Sequence, residues 1–213
     1  MNCRKEYMQL YAVTDRTWVG EQTLLEQVEA ALKGGVTCVQ LREKELDEEA
    51  FLEEAMEMKV LCEKYHVPFI INDNVEIAIK CKADGIHVGQ KDMEAGNVRK
   101  LVGDDMMIGV SARTVEQALK AQEAGADYLG VGAMFTTTTK LDANQVSFET
   151  LNAICEAVTI PVVAIGGISK ANMLELAGSG ADGVALVSAI FAAEDIEEEC
   201  RELGTLSRKM SGC

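Results

Sequence analysis

Val162-Val163-Ala164-Ile165-Gly166-Gly167-Ile168-Ser169, and after it Gly183-Val184-Ala185-Leu186-Val187-Ser188-Ala189-Ile190, decide the fold of this 213-residue chain. Each begins as a short Val- and Ile-rich run with almost no polar alternation, as expected of a strand buried on both faces of a parallel sheet. Each ends in residues suited to an anion. Glycines let backbone N–H groups approach a ligand closely. A serine opens a short helix whose first N–H groups point outward. Two such strand ends in succession form the usual phosphate site of strands seven and eight in a barrel. Many barrels share this pair, so it indicates a phosphate without specifying a chemistry.

Working outward, the same unit recurs. Apolar strand candidates lie at residues 9–14, 37–42, 68–72, 85–89, 107–111 and 127–132. Residues 23–33 between them carry Leu24, Leu25, Val28, Ala31 and Leu32 at a helical period. Residues 47–65 form a longer helical pattern with Asp47 as N-cap, and residues 114–124 and 170–177 repeat the theme. A short polar segment after Gln90 supplies the fourth helix. An internal echo supports the alternation: Lys33-Gly34-Gly35-Val36, Lys82-Ala83-Asp84-Gly85, Ala124-Gly125-Ala126-Asp127 and Ser179-Gly180-Ala181-Asp182-Gly183 each end a helix and turn into a strand. The pattern predicts an α/β fold, a (β/α)8 TIM barrel occupying residues 1–213 as one domain. An open doubly wound sheet is the alternative. The absence of G-x-G-x-x-G after strand one counts against its dinucleotide-binding form.

Composition narrows the function. The formal net charge is −15, and no basic face or tail suited to nucleic acid is evident. An anionic membrane surface is equally disfavoured, and no apolar run reaches the length of a membrane span. The seven cysteines include no C-x-x-C pair, so they read as reduced thiols. Met1-Asn2-Cys3-Arg4-Lys5-Glu6 lacks the apolar core of a signal peptide, and the expected location is cytoplasmic. An anionic ligand must therefore be held by a few local cations, backbone N–H groups or a metal.

Chemistry in a barrel sits where strands end. Strand two ends Gln40-Leu41-Arg42-Glu43-Lys44, and alternation sends Gln40, Arg42 and Lys44 to one side. These either grip a polyanion or pair with surface glutamates. Asp73 and Asp92 follow strands three and four at equal depth. They read either as hard oxygen ligands for Mg2+ or as an Asx turn and a helix cap. His87 lies in mid-strand and reads more naturally as a packed residue than as a base. Strand six leads into Phe135-Thr136-Thr137-Thr138-Thr139-Lys140, a hydroxyl-rich loop closing on a lysine. No nucleophile elbow or paired glutamates stand out. The set suits a reaction in which a phosphorylated group leaves with help from charge neutralisation.

Together these motifs resemble the thiamine-phosphate synthase family. The matching runs are Leu10-Tyr11-Ala12-Val13-Thr14-Asp15, Gln40-Leu41-Arg42-Glu43-Lys44, Ile71-Asn72-Asp73, His87-Val88-Gly89-Gln90-x-Asp92, Gly109-Val110-Ser111, Thr137-x-Thr139-Lys140, Ala164-Ile165-Gly166-Gly167-Ile168 and Val187-Ser188-Ala189-Ile190. The resemblance implies condensation of a hydroxymethylpyrimidine diphosphate with a thiazole phosphate, by dissociative loss of pyrophosphate. It implies that Gln40 contacts the pyrimidine and that Arg42, Lys44, Asn72, Ser111 and Lys140 hold the diphosphate, with Arg42, Lys44, Ser111 and Lys140 carrying the catalysis. It further implies that Asp73 and Asp92 bind Mg2+, and that Thr137, Thr139, Gly167, Val187 and Ser188 hold the thiazole phosphate. The partners implied are small phosphorylated substrates, with self-association left open.

Two positions depart from the family pattern. Thr136 stands where proline is common, and Arg113 where histidine is frequent. A related barrel, the thiazole tautomerase, lacks much of the diphosphate grip and uses a histidine at about the second place. A tautomerase-like barrel and a non-catalytic regulator that binds a thiamine precursor are the competing readings. Neither needs Lys44, Asp73, Asp92 and Lys140 together.

Overall fold

The structure, a computed structural model, describes residues 3–89, 95–136 and 145–212. Its strands are β1 (Leu10–Val13), β2 (Cys38–Leu41), β3 (Phe69–Asn72), β4 (Gly85–Val88), β5 (Met107–Ala112), β6 (Tyr128–Val131), β7 (Val162–Ile165) and β8 (Gly183–Leu186). All pair in parallel and in sequence order, and β8 returns to β1 to close the barrel. The alternation expected of a (β/α)8 barrel is borne out, and the open sheet is excluded.

The helices are α1 (Lys5–Met8), α2 (Leu24–Lys33), α3 (Glu48–Lys64), α4 (Val75–Lys80), α5 (Ala95–Val102), α6 (Val115–Glu123), α7 (Phe148–Ala157), α8 (Ser188–Phe191) and α9 (Ile196–Ser211). Their starts follow capping chemistry. Thr23 and Glu26 form a capping box on α2, and Asp47, Thr114, Ser147 and Asp195 cap α3, α6, α7 and α9. Each cap satisfies a donor that the first turn leaves unpaired.

One helix falls short of expectation. Residues 170–177 hold only the 3-10 turn Met173–Leu176. The reason lies in Asn172. Its side chain accepts from Ser169 N and donates to Gly167 O at 2.9 Å, which holds its backbone away from helical angles (φ −127°). Gly178, at φ +82°, then turns the chain back.

Strand alternation divides the interior in two. Leu10, Ala12, Val39, Leu41, Ile71, Ile86 and Leu129 face outward into the layer shared with the helices. Tyr11, Val13, Cys38, Ile70, Met107, Tyr128, Val163 and Ala185 fill the inside of the barrel. Burial on both faces explains why the strands read as continuous apolar runs. Burial also raises the thiols: Cys62 and Cys200 are pushed up to about 12, far from reactive at neutral pH.

The internal echo has a structural meaning. At the N-terminal rim, the residue that opens each even strand clasps the odd strand before it. Thr37 N donates to Leu10 O, and Leu10 N donates to Thr37 Oγ1, both at 2.8 Å. Asp84 N donates to Phe69 O at 2.9 Å and its carboxylate accepts from Phe69 N at 2.8 Å. Asp127 makes the same exchange with Ile108, and Asp182 with Val162. Each aspartate also holds a cation: Lys59, Arg99 and Lys5 respectively. Three Ala-Asp steps thus staple successive strand pairs at the end remote from the site.

Candidate active site

The C-terminal ends of the strands surround a cavity of about 180 Å³. Gln40 (β2), Arg42, Asn72 (β3), His87 (β4) and Ser111 (β5) line one side, and Gly166, Gly167, Val187 and Ser188 the other. Val13, Val163, Ile165 and Ala185 form an apolar wall between them.

Arg42 is aimed by its neighbours. Its N–H donates to Thr14 Oγ1 at 3.0 Å, and its guanidinium donates to Asp15 Oδ2 at 2.8 Å. Thr14 is fully buried and its own N–H donates to Gln40 O, so the ends of β1 and β2 are tied at the mouth. Burial pushes the Asp15 carboxyl up, but the bonds from Thr17 and the Arg42 guanidinium outweigh this and hold it below the usual carboxylate range. The adjoining loop is fixed by Glu43, whose carboxylate accepts from Lys44 N at 2.7 Å, Glu45 N at 2.8 Å and Arg16 Nε at 2.5 Å. The strand ends at Leu41, so alternation does not carry to Lys44. Its side chain is exposed and does not line the cavity.

At the end of β3, Asn72 Nδ2 donates to Asp73 Oδ2 at 2.7 Å. Asp73 takes a left-handed backbone, φ +63°, which Asp tolerates better than most residues. The helix that follows, α4, is capped by Asn74, which accepts from Ile77 N. The Asp73 carboxylate is exposed at the rim.

The glycine turn after β7 is required by packing. Phe135 N donates to Gly166 O, and Met134 N to Ile165 O. A Cβ on Gly167, at φ +67°, would lie 2.5 Å from Thr136 O and 2.8 Å from Phe135 C. Beside it, after β8, α8 starts at Ser188. Ile190 N and Phe191 N turn back to Val187 O, whereas Ser188 and Ala189 stand at the front of the first turn.

Of the residues singled out in the sequence, Gln40, Arg42, Asn72, Ser111, Gly167, Val187 and Ser188 converge on one cavity. Asp92, Thr137, Thr139 and Lys140 lie outside the described residues. Sequence reading missed Asp15 and Thr14, which aim Arg42, and Asn172, which clamps the glycine turn. It also missed Tyr11 and Tyr128, which read as ordinary strand aromatics. His87 does pack, as expected, but it also bonds at both ring nitrogens, to Tyr128 Oη at 3.1 Å and Ser111 Oγ at 3.0 Å.

Residues 10–190 match the family described as thiamine monophosphate synthase. The thiamine-phosphate synthase of Clostridium tetani (strain Massachusetts / E88) is 51% identical over 194 residues, covering 91% of this chain and 93% of its own length. That of Enterococcus faecalis (strain ATCC 700802 / V583) is 46% identical over 206 residues, 97% of each chain. The chain belongs to the thiamine monophosphate synthase family. A solved thiamine phosphate pyrophosphorylase from Pyrococcus furiosus superposes with a TM-score of 0.89 at 36% identity, over 97% of this chain and 98% of that one. Membership in the thiamine monophosphate synthases makes this chain an enzyme of the transferase class. Among the described residues no helix is long and apolar enough to cross a membrane.

Proposed function

We propose that this single-domain barrel is a cytoplasmic thiamine-phosphate synthase. It joins 4-amino-2-methyl-5-hydroxymethylpyrimidine diphosphate to hydroxyethylthiazole phosphate, giving thiamine phosphate and pyrophosphate. The observation that carries this reading is that Gln40, Arg42, Asn72 and Ser111 face the Gly167 and Ser188 turns across one cavity. An isomerase of a single phosphorylated substrate has no use for the first group.

The reaction breaks the bond between the pyrimidine methylene carbon and the diphosphate oxygen. The electron pair leaves with pyrophosphate, and the methylene becomes cationic. The thiazole nitrogen then donates its lone pair to that carbon, forming the C–N bond. Neither step requires the protein to take a proton. This fits a cavity whose imidazole, His87, is already bonded at both nitrogens. Arg42, held by Asp15, neutralises charge developing on the departing diphosphate. Asn72 and Ser111 donate hydrogen bonds to it, and Lys44 and Lys140 add charge from the loops. The apolar wall of Val13, Val163, Ile165 and Ala185 keeps water from the cationic carbon. Gln40 orients the pyrimidine. Gly167, Val187 and Ser188, with Thr137 and Thr139, hold the thiazole phosphate.

The donor chemistry at the rim fits Mg2+. Asp73 presents an exposed carboxylate beside Asn72, and hard oxygen ligands with room for water and phosphate are what this ion takes. Asp92 would complete the pair. Bound there, Mg2+ supplies positive charge to the diphosphate. Replacing Asp73 by asparagine is expected to raise the Mg2+ concentration needed for half-maximal turnover by about tenfold; an unchanged Mg2+ titration removes Asp73 from the metal site.

Ser188→Ala tests the opposite side. The KM for thiazole phosphate is expected to rise about fivefold to tenfold, the cost of one charge-assisted hydrogen bond, with kcat within about twofold. A KM that stays at the wild-type value contradicts the assignment. The reading as a whole is tested by mixing the protein with both precursors and Mg2+ and measuring thiamine phosphate.

A further inference from the structure

A continuous hydrogen-bonded chain runs beneath the cavity from β2 to β5. Gln40 Nε2 donates to Tyr11 Oη at 2.7 Å, Tyr11 Oη meets Tyr128 Oη at 2.7 Å, and Tyr128 Oη meets His87 Nδ1 at 3.1 Å. His87 Nε2 then meets Ser111 Oγ at 3.0 Å. Tyr11 and Tyr128 are 1% and 0% exposed, so water does not substitute for any of their bonds. The barrel also makes room for the chain. A Cβ on Gly109 would strike the Tyr128 phenol and lie 2.5 Å from His87 Nδ1, and one on Gly130 would lie 3.0 Å from His87 Cε1. These two mid-strand glycines have ordinary backbone angles, so what they supply is space.

The chain has a direction. Burial drives both tyrosines well above their ordinary range, so each hydroxyl keeps one proton and can donate once. Tyr11 receives a bond from Gln40, and the nearest oxygen for its own proton is Tyr128 Oη at 2.7 Å. Tyr128 in turn donates to His87 Nδ1. A neutral His87 then carries its hydrogen on Nε2 and donates to Ser111 Oγ.

We infer that Tyr11, Tyr128 and His87 are positioning residues for the transfer reaction. They lock the Gln40 amide with its carbonyl toward the mouth, and they turn the Ser111 hydroxyl hydrogen away from the His87 ring. The two sides of the diphosphate substrate's site are thereby set by one polarised chain. Gln40 Oε1 presents an acceptor, which matches an exocyclic amino group on the heterocycle. Ser111 presents its donor on the face opposite the imidazole. Reversing any link would reverse every other, presenting an amide donor to that amino group. The inference about substrate rests on the synthase reading; the inference about the chain does not.

The two are separated by experiment. In full-length wild-type protein without ligands, 15N NMR of the imidazoles, assigned with a His66→Asn variant, is expected to show neutral His87 protonated at Nε2 and unprotonated at Nδ1. Tyr128→Phe, which keeps the ring and removes both links, is expected to abolish that tautomer preference. The same variant should lower kcat/KM for the pyrimidine diphosphate by about tenfold, with the KM for thiazole phosphate unchanged. Tyr11→Phe should do the same and should weaken the His87 tautomer preference, because it removes both the Gln40 bond and the Tyr11–Tyr128 bond that commits the Tyr128 proton to His87. A wild-type His87 protonated at Nδ1 overturns the proposal, as does a Tyr128→Phe enzyme with wild-type kinetics. If wild type makes no thiamine phosphate but shows the expected tautomer, the synthase reading fails while the polarised chain stands.

Discussion

Arg42→Ala is expected to lower kcat/KM for the pyrimidine diphosphate by about 10²- to 10³-fold, the range found when one preorganised donor to a developing negative charge is removed. The protein carries a formal charge of −15, so its overall field opposes an anionic substrate, and the nearest cation matters correspondingly more. Arg42 is fixed at both ends. Thr14 holds its backbone, and Asp15 holds one guanidinium nitrogen. The rest of the planar fork faces the cavity. Lysine keeps the charge but not the fork, so Arg42→Lys should recover only part of the loss. The Asp15 partner also sets an acid limit. Its carboxyl sits below the ordinary aspartate value of 3.8 in the folded protein. A depressed carboxylate contributes above its unfolded pKa and loses that contribution as pH falls through the folded one. Arg42 positioning should therefore persist through mildly acidic pH and fail only below about pH 4. Wild-type kcat/KM in Arg42→Ala would remove this residue from the reaction.

The second large effect is on stability. Asp84→Ala is expected to destabilise the fold by about 2–3 kcal/mol, the cost of leaving a buried N–H unsatisfied and losing a paired lysine, lowering Tm by roughly 5–10 °C for a chain of this length. The Asp84 carboxylate accepts from Phe69 N at 2.8 Å and from Lys59 Nζ at 2.9 Å. It lies at the opposite end of the barrel from the site, so KM values at 25 °C should not change. Burial lowers the Lys59 ammonium, but its bonds to Asp84 outweigh this and raise it above 10.5. A raised lysine contributes fully below its unfolded pKa and loses that contribution as pH rises through the folded one. The stability gap between wild type and Asp84→Ala should therefore be constant near neutrality and narrow above about pH 10.5. A gap that stays constant through the lysine's titration contradicts the assignment of the clasp to Lys59.

Much of this was legible in the sequence because periodicity and capping are local. The strands could be placed from their apolar runs, α2 and α6 from their helical period, and α3 from its period and the Asp47 cap. Helix α4 was not singled out because its six residues are too few to show a period. The 170–177 segment read as a helix because nothing local reveals that Asn172 is committed to Gly167 O. The same limit governed the site. Gln40, Arg42, Asn72 and Ser111 stood out as polar residues at strand ends, where a barrel places chemistry. Tyr11 and Tyr128 did not. They are 117 residues apart, and a tyrosine inside a strand looks like packing until its hydroxyl partner is known. The Ala-Asp echo was visible as repetition, but its reason, the N–H of a neighbouring strand, exists only in the closed barrel.

The most direct test of two anions facing each other across one mouth is product stoichiometry. The purified protein is supplied with the pyrimidine diphosphate, thiazole phosphate and Mg2+, and thiamine phosphate and pyrophosphate are quantified together. Equal amounts of both products, with no pyrophosphate released in excess of thiamine phosphate, are the expected result. Thiazole phosphate that binds without any thiamine phosphate forming would contradict the account and favour a tautomerase-like or purely binding role.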